Sequence, residues 1–280
     1  MKPIMRYHGA KFRLANWVIS FFPEHSTYVE PFGGAAGVLL QKPRSLSEVY
    51  NDLDEDIVNV FRVMQDQSMA HELRRRVELT PYSRSEFELS YEPTSCTIER
   101  ARRTLIRAHM GFGSAGATKH KTGFRIDSAR LYGTAAHLWA KYPVNIDEFT
   151  QRLQSVVLEN KDAVDVIDNH DREDTLFYVD PPYLHSTRKM RTGGYYAHEM
   201  SDDDHLRLLD KLVKIKGMVV LSGYASNLYR SCLIGWEEHQ ISARISAGRG
   251  TDTRVESLWL NAVCADRKKQ TNLFNTKVAL

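Results

Sequence analysis

Six short apolar runs rich in β-branched and aromatic residues punctuate the chain, at residues 27–32, 48–53, 155–158, 175–179, 218–221 and 255–263. Each reads as a strand. Between most of them lie segments with helical spacing, at 35–41, 54–65, 163–169 and 202–214. In the last of these, Leu206, Leu209, Leu212 and Val213 are expected on one buried face. Strands alternating with helices assemble into a parallel sheet covered on both sides, so the expected fold is a doubly wound α/β sheet. The chain has 280 residues, 42% hydrophobic and 26% charged, enough for one such sheet and an insertion.

One interval interrupts the alternation. From about residue 67 to 154 the sequence turns basic and helix-rich and then carries the Gly-, Lys- and His-rich stretch GFGSAGATKHKTGFR. The expected organisation is therefore one domain made of residues 1–66 and 155–280, with a mainly helical insertion at 67–154. A net charge of +3 does not by itself demand a polyanionic partner. Clustering of Arg102, Arg103, Arg107, Lys119, Lys121 and Arg125 within the insertion permits one. A solvated surface tolerates the same charges.

Cys96, Cys232 and Cys264 lie far apart with no CxxC pair, which suggests neither a zinc site nor a disulfide framework. The N-terminus lacks the apolar stretch of a signal peptide, and no uncharged run of ~18 residues follows. The expectation is a cytoplasmic protein without a membrane partner. Asp202, Asp203 and Asp204 stand at the first turn of an expected helix, where acids suit the macrodipole, and His25, His109, His137 and His170 have no ligand spacing. No metal is expected.

The sharpest local signal is Asp180-Pro181-Pro182-Tyr183, set directly after the apolar strand LFYV. By composition alone this string arises in roughly one chain of this size in a thousand. Ligands of open α/β sheets bind at the carboxyl ends of strands, which is where it falls. The loop suits the exocyclic amine of a nucleobase, which has two N–H donors that are costly to bury unpaired. The Asp180 carboxylate can accept one and the Pro181 carbonyl the other, while Pro182 biases the backbone before it. Tyr183 can stack on a base taken out of its helix. A plain Pro-Pro turn after a strand is the alternative.

Three weaker constellations accompany it. Glu30-Pro31-Phe32-Gly33-Gly34-Ala35-Ala36-Gly37 reads as a strand entering a Gly-rich turn and then a helix near Ala35, whose glycines admit a ligand to the backbone. The following strand ends at Asp52, about 20 residues on, the spacing of a ribose-binding acid; capping of the next helix by Asp52 or Asp54 explains it equally. Tyr7-His8-Gly9-Ala10-Lys11 lies near the N-terminus, with Lys11 able to meet a carboxylate or simply to face solvent. Asp162, before Ala163, can receive a cofactor amine or cap a helix.

In this order the motifs resemble the Dam-like DNA adenine-N6 methyltransferase family, over nearly the whole chain. The YxGxK box of that family is matched by Tyr7, Gly9 and Lys11, its EPFxGxG box by Glu30, Pro31, Phe32 and Gly34, and its DPPY motif by residues 180–183. Ala36 replaces the final glycine of the second box. The resemblance implies S-adenosylmethionine as cofactor, held by Tyr7, Gly9, Lys11, Glu30, Pro31, Phe32, Gly34, Asp52, Asp162 and Ala163. It also implies a seven-stranded sheet with an antiparallel last strand, double-stranded DNA as substrate, and target recognition by the insertion. A bacterial or phage origin and a cognate restriction endonuclease as partner fit the same resemblance. The alternatives within reach of these residues are methylation of the cytosine amine, a dinucleotide-dependent oxidoreductase, and a catalytically silent DNA-binding protein.

Overall fold

The computed structural model of the chain describes residues 1–114, 116–117, 121–126, 133–188, 196–247 and 250–278. Its first half runs α1 (Ala15–Ile19), β1 (Thr27–Glu30), β2 (Ser47–Asn51), α2 (Glu55–Gln65), α3 (Gln67–Glu78), α4 (Arg84–Leu89), α5 (Thr97–Met110), α6 (Ala135–Ala140) and α7 (Ile146–Leu153). The second runs β3 (Val156–Glu159), α8 (Ala163–His170), β4 (Thr175–Val179), α9 (Asp202–Leu212), β5 (Met218–Gly223), α10 (Asn227–Cys232), β6 (Glu237–Ala247), β7 (Gly250–Leu260) and α11 (Ala262–Val278).

The seven strands form one sheet in the order β3-β2-β1-β4-β5-β7-β6. Strands β1 to β5 pair in parallel, and β7 runs antiparallel to both β5 and β6. Side chains alternate between faces as the strand period of two requires. Tyr28, Tyr50, Leu176, Tyr178 and Val220 pack on one side with Ile57 and Phe61 of α2, and Leu105, Ile106, Phe149 and Leu153 from the 67–154 interval join that core. Val29, Val49, Phe177, Val179 and Leu221 face the other side, against Val166, Ile167, Leu208, Leu209 and Leu212. This is the doubly wound sheet, with the antiparallel last strand, that the sequence predicts.

Three expectations change. Residues 35–41 form consecutive turns rather than a helix, because Gly34 and Ala36 take left-handed φ values of 49° and 52°, which interrupt helical bonding. The buried face of α9 is His205, Leu208, Leu209 and Leu212, with Leu206 and Val213 about half exposed. Strand β6 was not anticipated. It is an edge strand with the polar composition that discourages further pairing, so it carries little apolar signal.

Ion pairs fasten the 67–154 interval to the sheet domain. Arg152 of α7 reaches Glu48 of β2 at 2.6 Å, and Lys42 holds the same carboxylate at 2.6 Å. Burial alone would raise the Glu48 pKa, but its two cationic partners bring it below the ordinary value. Arg100 and Arg107 of α5 both bind Asp56 in the first turn of α2.

Candidate functional site

The strand order reverses between β1 and β4: from β1 the chain continues outward to β2, and from β4 to β5 on the opposite side. Loops leaving two such strands diverge and open a crevice at their carboxyl ends. Here those loops are Pro31 to Gly34 after β1 and Asp180 to Tyr183 after β4; the first, with Asp180 and Pro182 of the second, lines a cleft of about 850 Å³, open mouth included, while Tyr183 stands beside that lining with its ring 4.8 Å from Lys11 Nζ. The N-terminal box, the end of β2 and the 196–200 segment complete its walls.

At the floor, Lys11 Nζ donates to Asp180 Oδ2 at 3.0 Å and to the Gly9 carbonyl at 2.9 Å. It also sits 4.8 Å from the centroid of the Tyr183 ring, a cation–π contact. Both ends of the ion pair are buried, with 7% and 15% side-chain exposure. Burial raises the Asp180 pKa, and Lys11 partly offsets this. Burial alone would lower the Lys11 pKa, but Asp180 and then Glu256 outweigh it, so the ammonium is held charged. The other oxygen, Asp180 Oδ1, is buried without a hydrogen-bond partner among the described residues. A buried carboxylate oxygen with no donor is costly, so this atom is placed to receive one from a ligand.

The Gly-rich loop is tied to the end of β2. Gly34 N–H donates to Asp52 Oδ2 at 2.7 Å, Tyr50 Oη to the Gly34 carbonyl at 2.6 Å, and Asn51 Nδ2 to the Pro31 carbonyl at 2.8 Å. Gly34 must be glycine on two counts. Its φ is left-handed, and a Cβ there would stand 2.8 Å from Cε1 of Tyr7. Gly9 is equally constrained, since a Cβ would meet Tyr196 Oη at 2.4 Å. The two boxes thus pack backbone against aromatic ring. Asp52 is half-buried and desolvation raises its pKa, while Asp54 is pushed up to about 6 by desolvation and by Asp52.

Glu30, the last residue of β1, is buried with Oε2 unpartnered among the described residues, and burial pushes its pKa up to about 8. The folded protein therefore keeps a proton that the unfolded chain releases near 4.5. Stability contributed by this group falls as pH rises from the lower value to the higher, and levels off beyond it. Thermal unfolding of the ligand-free protein should show that decline, and Glu30→Gln should flatten it. An equally steep decline in the variant would assign the effect to another group.

Of the residues expected at a cofactor, Tyr7, Gly9, Lys11, Glu30, Pro31, Phe32, Gly34, Asp52 and Ala163 line this one cleft, together with Asp180 and Pro182. Pro181 is buried in the turn between Asp180 and Pro182. Asp162 stands apart: it caps α8 through Val164 N–H at 2.9 Å and pairs with Arg207 at 2.8 Å, the helix-cap alternative. The basic residues of the insertion are also placed differently from expectation. Arg102 is bound by Glu86 and Glu99, Arg103 by Glu99, and Arg107 by Asp56 of α2 and the Ser90 carbonyl, so their charge is already matched within the chain. Arg125 is buried, Lys121 is exposed, and Lys119 lies outside the described residues.

The sequence reading missed several groups. His8, Tyr196 and Met200 line the cleft, and Arg188 ties its far wall by pairing with Glu199 and donating to the Tyr183 carbonyl at 2.7 Å. Glu256 and Ser222 contact the Tyr183 hydroxyl. Only the aromatic run Tyr195-Tyr196, after two glycines, offered a signal.

Comparison with known proteins identifies the family. The family model described as D12 class N6 adenine-specific DNA methyltransferase matches residues 7–245. A DNA adenine methylase of Haemophilus influenzae is 22% identical, covering 95% of each chain. Type II methyltransferase M.MjaIII of Methanocaldococcus jannaschii is 20% identical, over 92% of this chain and 97% of its own. Type II methyltransferase M1.LlaDCHI of Lactococcus lactis subsp. cremoris is 23% identical, over 91% and 92%. A match spanning most of the chain, on a sheet whose switch point gathers the expected motifs, places the chain in the D12 class of N6 adenine-specific DNA methyltransferases, enzymes that methylate adenine in DNA.

Proposed function

We propose that the cleft holds S-adenosylmethionine along the Gly-rich loop and receives, at Asp180 to Tyr183, an adenine turned out of duplex DNA. The observation that carries this reading is the buried Asp180 Oδ1, without a hydrogen-bond partner among the described residues, in the wall of the same cleft that the Gly-rich loop lines. The residues fit the cofactor. Glu30 supplies a buried acceptor and Asp52 a half-buried one, Gly34 close backbone approach, and Tyr7, Phe32 and Ala163 apolar walls. When bound, S-adenosylmethionine supplies a sulfonium methyl open to direct attack by the amine.

The chain's own residues prepare that amine. Asp180 Oδ1 accepts one of its N–H groups and the Pro181 carbonyl the other, which turns the nitrogen lone pair out of conjugation. The Tyr183 ring stacks on the base and replaces its lost neighbours. Positive charge grows on the nitrogen as the bond forms, and the fixed Asp180 carboxylate stabilises it without reorganising. No cysteine lies in the loop, and direct transfer needs no covalent intermediate. A duplex carrying 2-aminopurine at the methylated position tests the uptake of the base, because that base brightens when unstacked. A rise on binding the protein is expected, and a larger one with Tyr183→Ala, where no ring restacks the base; an unchanged signal with both contradicts extrusion.

Asp52 is assigned to the cofactor. Asp52→Ala should weaken S-adenosylmethionine binding by about 1.5–3 kcal/mol, the loss typical of a charge-assisted bond, as read by calorimetric titration. Parent-like affinity would remove Asp52 from the site.

Residues 67–154 are assigned to target recognition, with Lys121 as the contact to phosphate. Lys121→Ala should lower the salt dependence of DNA binding by about one charge while leaving sequence preference intact. An unchanged slope would move the phosphate contact elsewhere. Two of the relatives bear the name Type II methyltransferase, which supports a protective role beside a cognate restriction endonuclease.

A further inference from the structure

The Tyr183 hydroxyl donates to Glu256 Oε2 at 2.7 Å, and Ser222 Oγ lies 3.3 Å away. Glu256 belongs to β7, and Ser222 belongs to β5, whose Gly223 is in register with the neighbouring Ser257. Glu256 is only 6% exposed. Burying a carboxylate on the strand behind an active-site loop is expensive unless it is bonded. The described bond for this one is the ring that ends the 180–183 motif. Tyr224 meets that ring in a T-shaped contact, with centroids 4.4 Å apart and planes at 68°. The ring is thus held at its hydroxyl by Glu256 and packed by Tyr224 and Lys11.

We infer that Glu256 is a positioning residue for methyl transfer: by accepting the Tyr183 hydroxyl it fixes the angle of the ring on which the target adenine stacks. The inference rests on the proposed stacking role of Tyr183. A ring free to turn about its side-chain torsions presents a stacking face only part of the time, whereas one bonded at its far end presents it continuously. Glu256 Oε2 is the nearer of the two partners, at 2.7 Å against 3.3 Å for Ser222 Oγ, so the carboxyl is the principal anchor of the hydroxyl.

Glu256→Met fills similar space without an acceptor, Glu256→Gln keeps an acceptor oxygen, and Tyr183→Phe keeps the ring without its hydroxyl. Steady-state methylation of duplex DNA by each variant, and by Glu256→Met in the Tyr183→Phe background, separates the possibilities. Glu256→Met and Tyr183→Phe are each expected to lower kcat/KM about tenfold, in line with one lost charge-assisted bond. Glu256→Gln should stay within about threefold of the parent, and Glu256→Met should add less than twofold to Tyr183→Phe. A Glu256→Met defect of the same size in both backgrounds overturns the inference, as does a Gln variant as poor as the Met one. Tyr183→Phe reads the same bond without altering Glu256, so its parent-like activity overturns the inference even where Glu256→Met does not fold. Failure of the stacking role itself appears differently, as a Tyr183→Ala enzyme with parent-like activity.

Discussion

Replacing Asp180 with Ala should cut methylation by at least about three orders of magnitude while leaving S-adenosylmethionine affinity within a few-fold of the parent. The size follows from the loss of a fixed charge facing a developing cation, where removal of even one neutral donor typically costs 10²–10³-fold. The sparing of the cofactor follows from geometry, since the cradle is held by the end of β2 rather than by the loop after β4. Loss of Asp180 also leaves the Lys11 ammonium buried without its main partner, so the variant should be less stable than the parent. Single-turnover rates at saturating cofactor, with calorimetric binding in parallel, give the comparison. A variant that methylates near the parent rate would remove Asp180 from the chemistry.

The second large effect concerns Lys11, which the sequence places in a cofactor box and the structure places on Asp180. Lys11→Met should destabilise the fold by about 3–5 kcal/mol, the usual penalty for removing one partner of a buried ion pair. It should also move the acidic limb of the pH–rate profile upward. Burial already raises the Asp180 pKa, and Lys11 is the chief group holding it down. Without the ammonium, the carboxylate that must accept the target N–H is protonated up to a higher pH. Activity lost on the acidic side should therefore return in part as the pH is raised. The shift and the partial recovery distinguish this role from cofactor binding; a defect independent of pH, accompanied by weak S-adenosylmethionine binding, would restore the cofactor assignment.

What was legible from sequence was what is contiguous or periodic. Asp180 to Tyr183 carries its whole logic in four adjacent residues, and the strand before it announces where the loop must lie. Strands β1, β2, β4 and β5 are apolar because they are buried on both faces, so their runs were visible. The Lys11–Asp180 pair spans 169 residues and the Tyr183–Glu256 bond 73, and no local pattern encodes such meetings. Glu256 in particular reads as an ordinary polar position of an alternating strand. The turn at 35–41 was misread because its apolar residues have helical spacing, while backbone geometry at Gly34 and Ala36 decides otherwise. The arginines of α5 show the complementary error. Composition counts charge but does not reveal that Glu86, Glu99 and Asp56 already match it.

The switch-point cleft, through Asp180, is proposed to methylate the exocyclic amine of adenine. Enzymatic digestion to nucleosides and mass spectrometry of DNA exposed to the purified protein and S-adenosylmethionine tests it most directly. N6-methyladenine is predicted with the parent enzyme and not with Asp180→Ala under the same exposure. N4-methylcytosine in its place, or N6-methyladenine formed equally well by the variant, would contradict it.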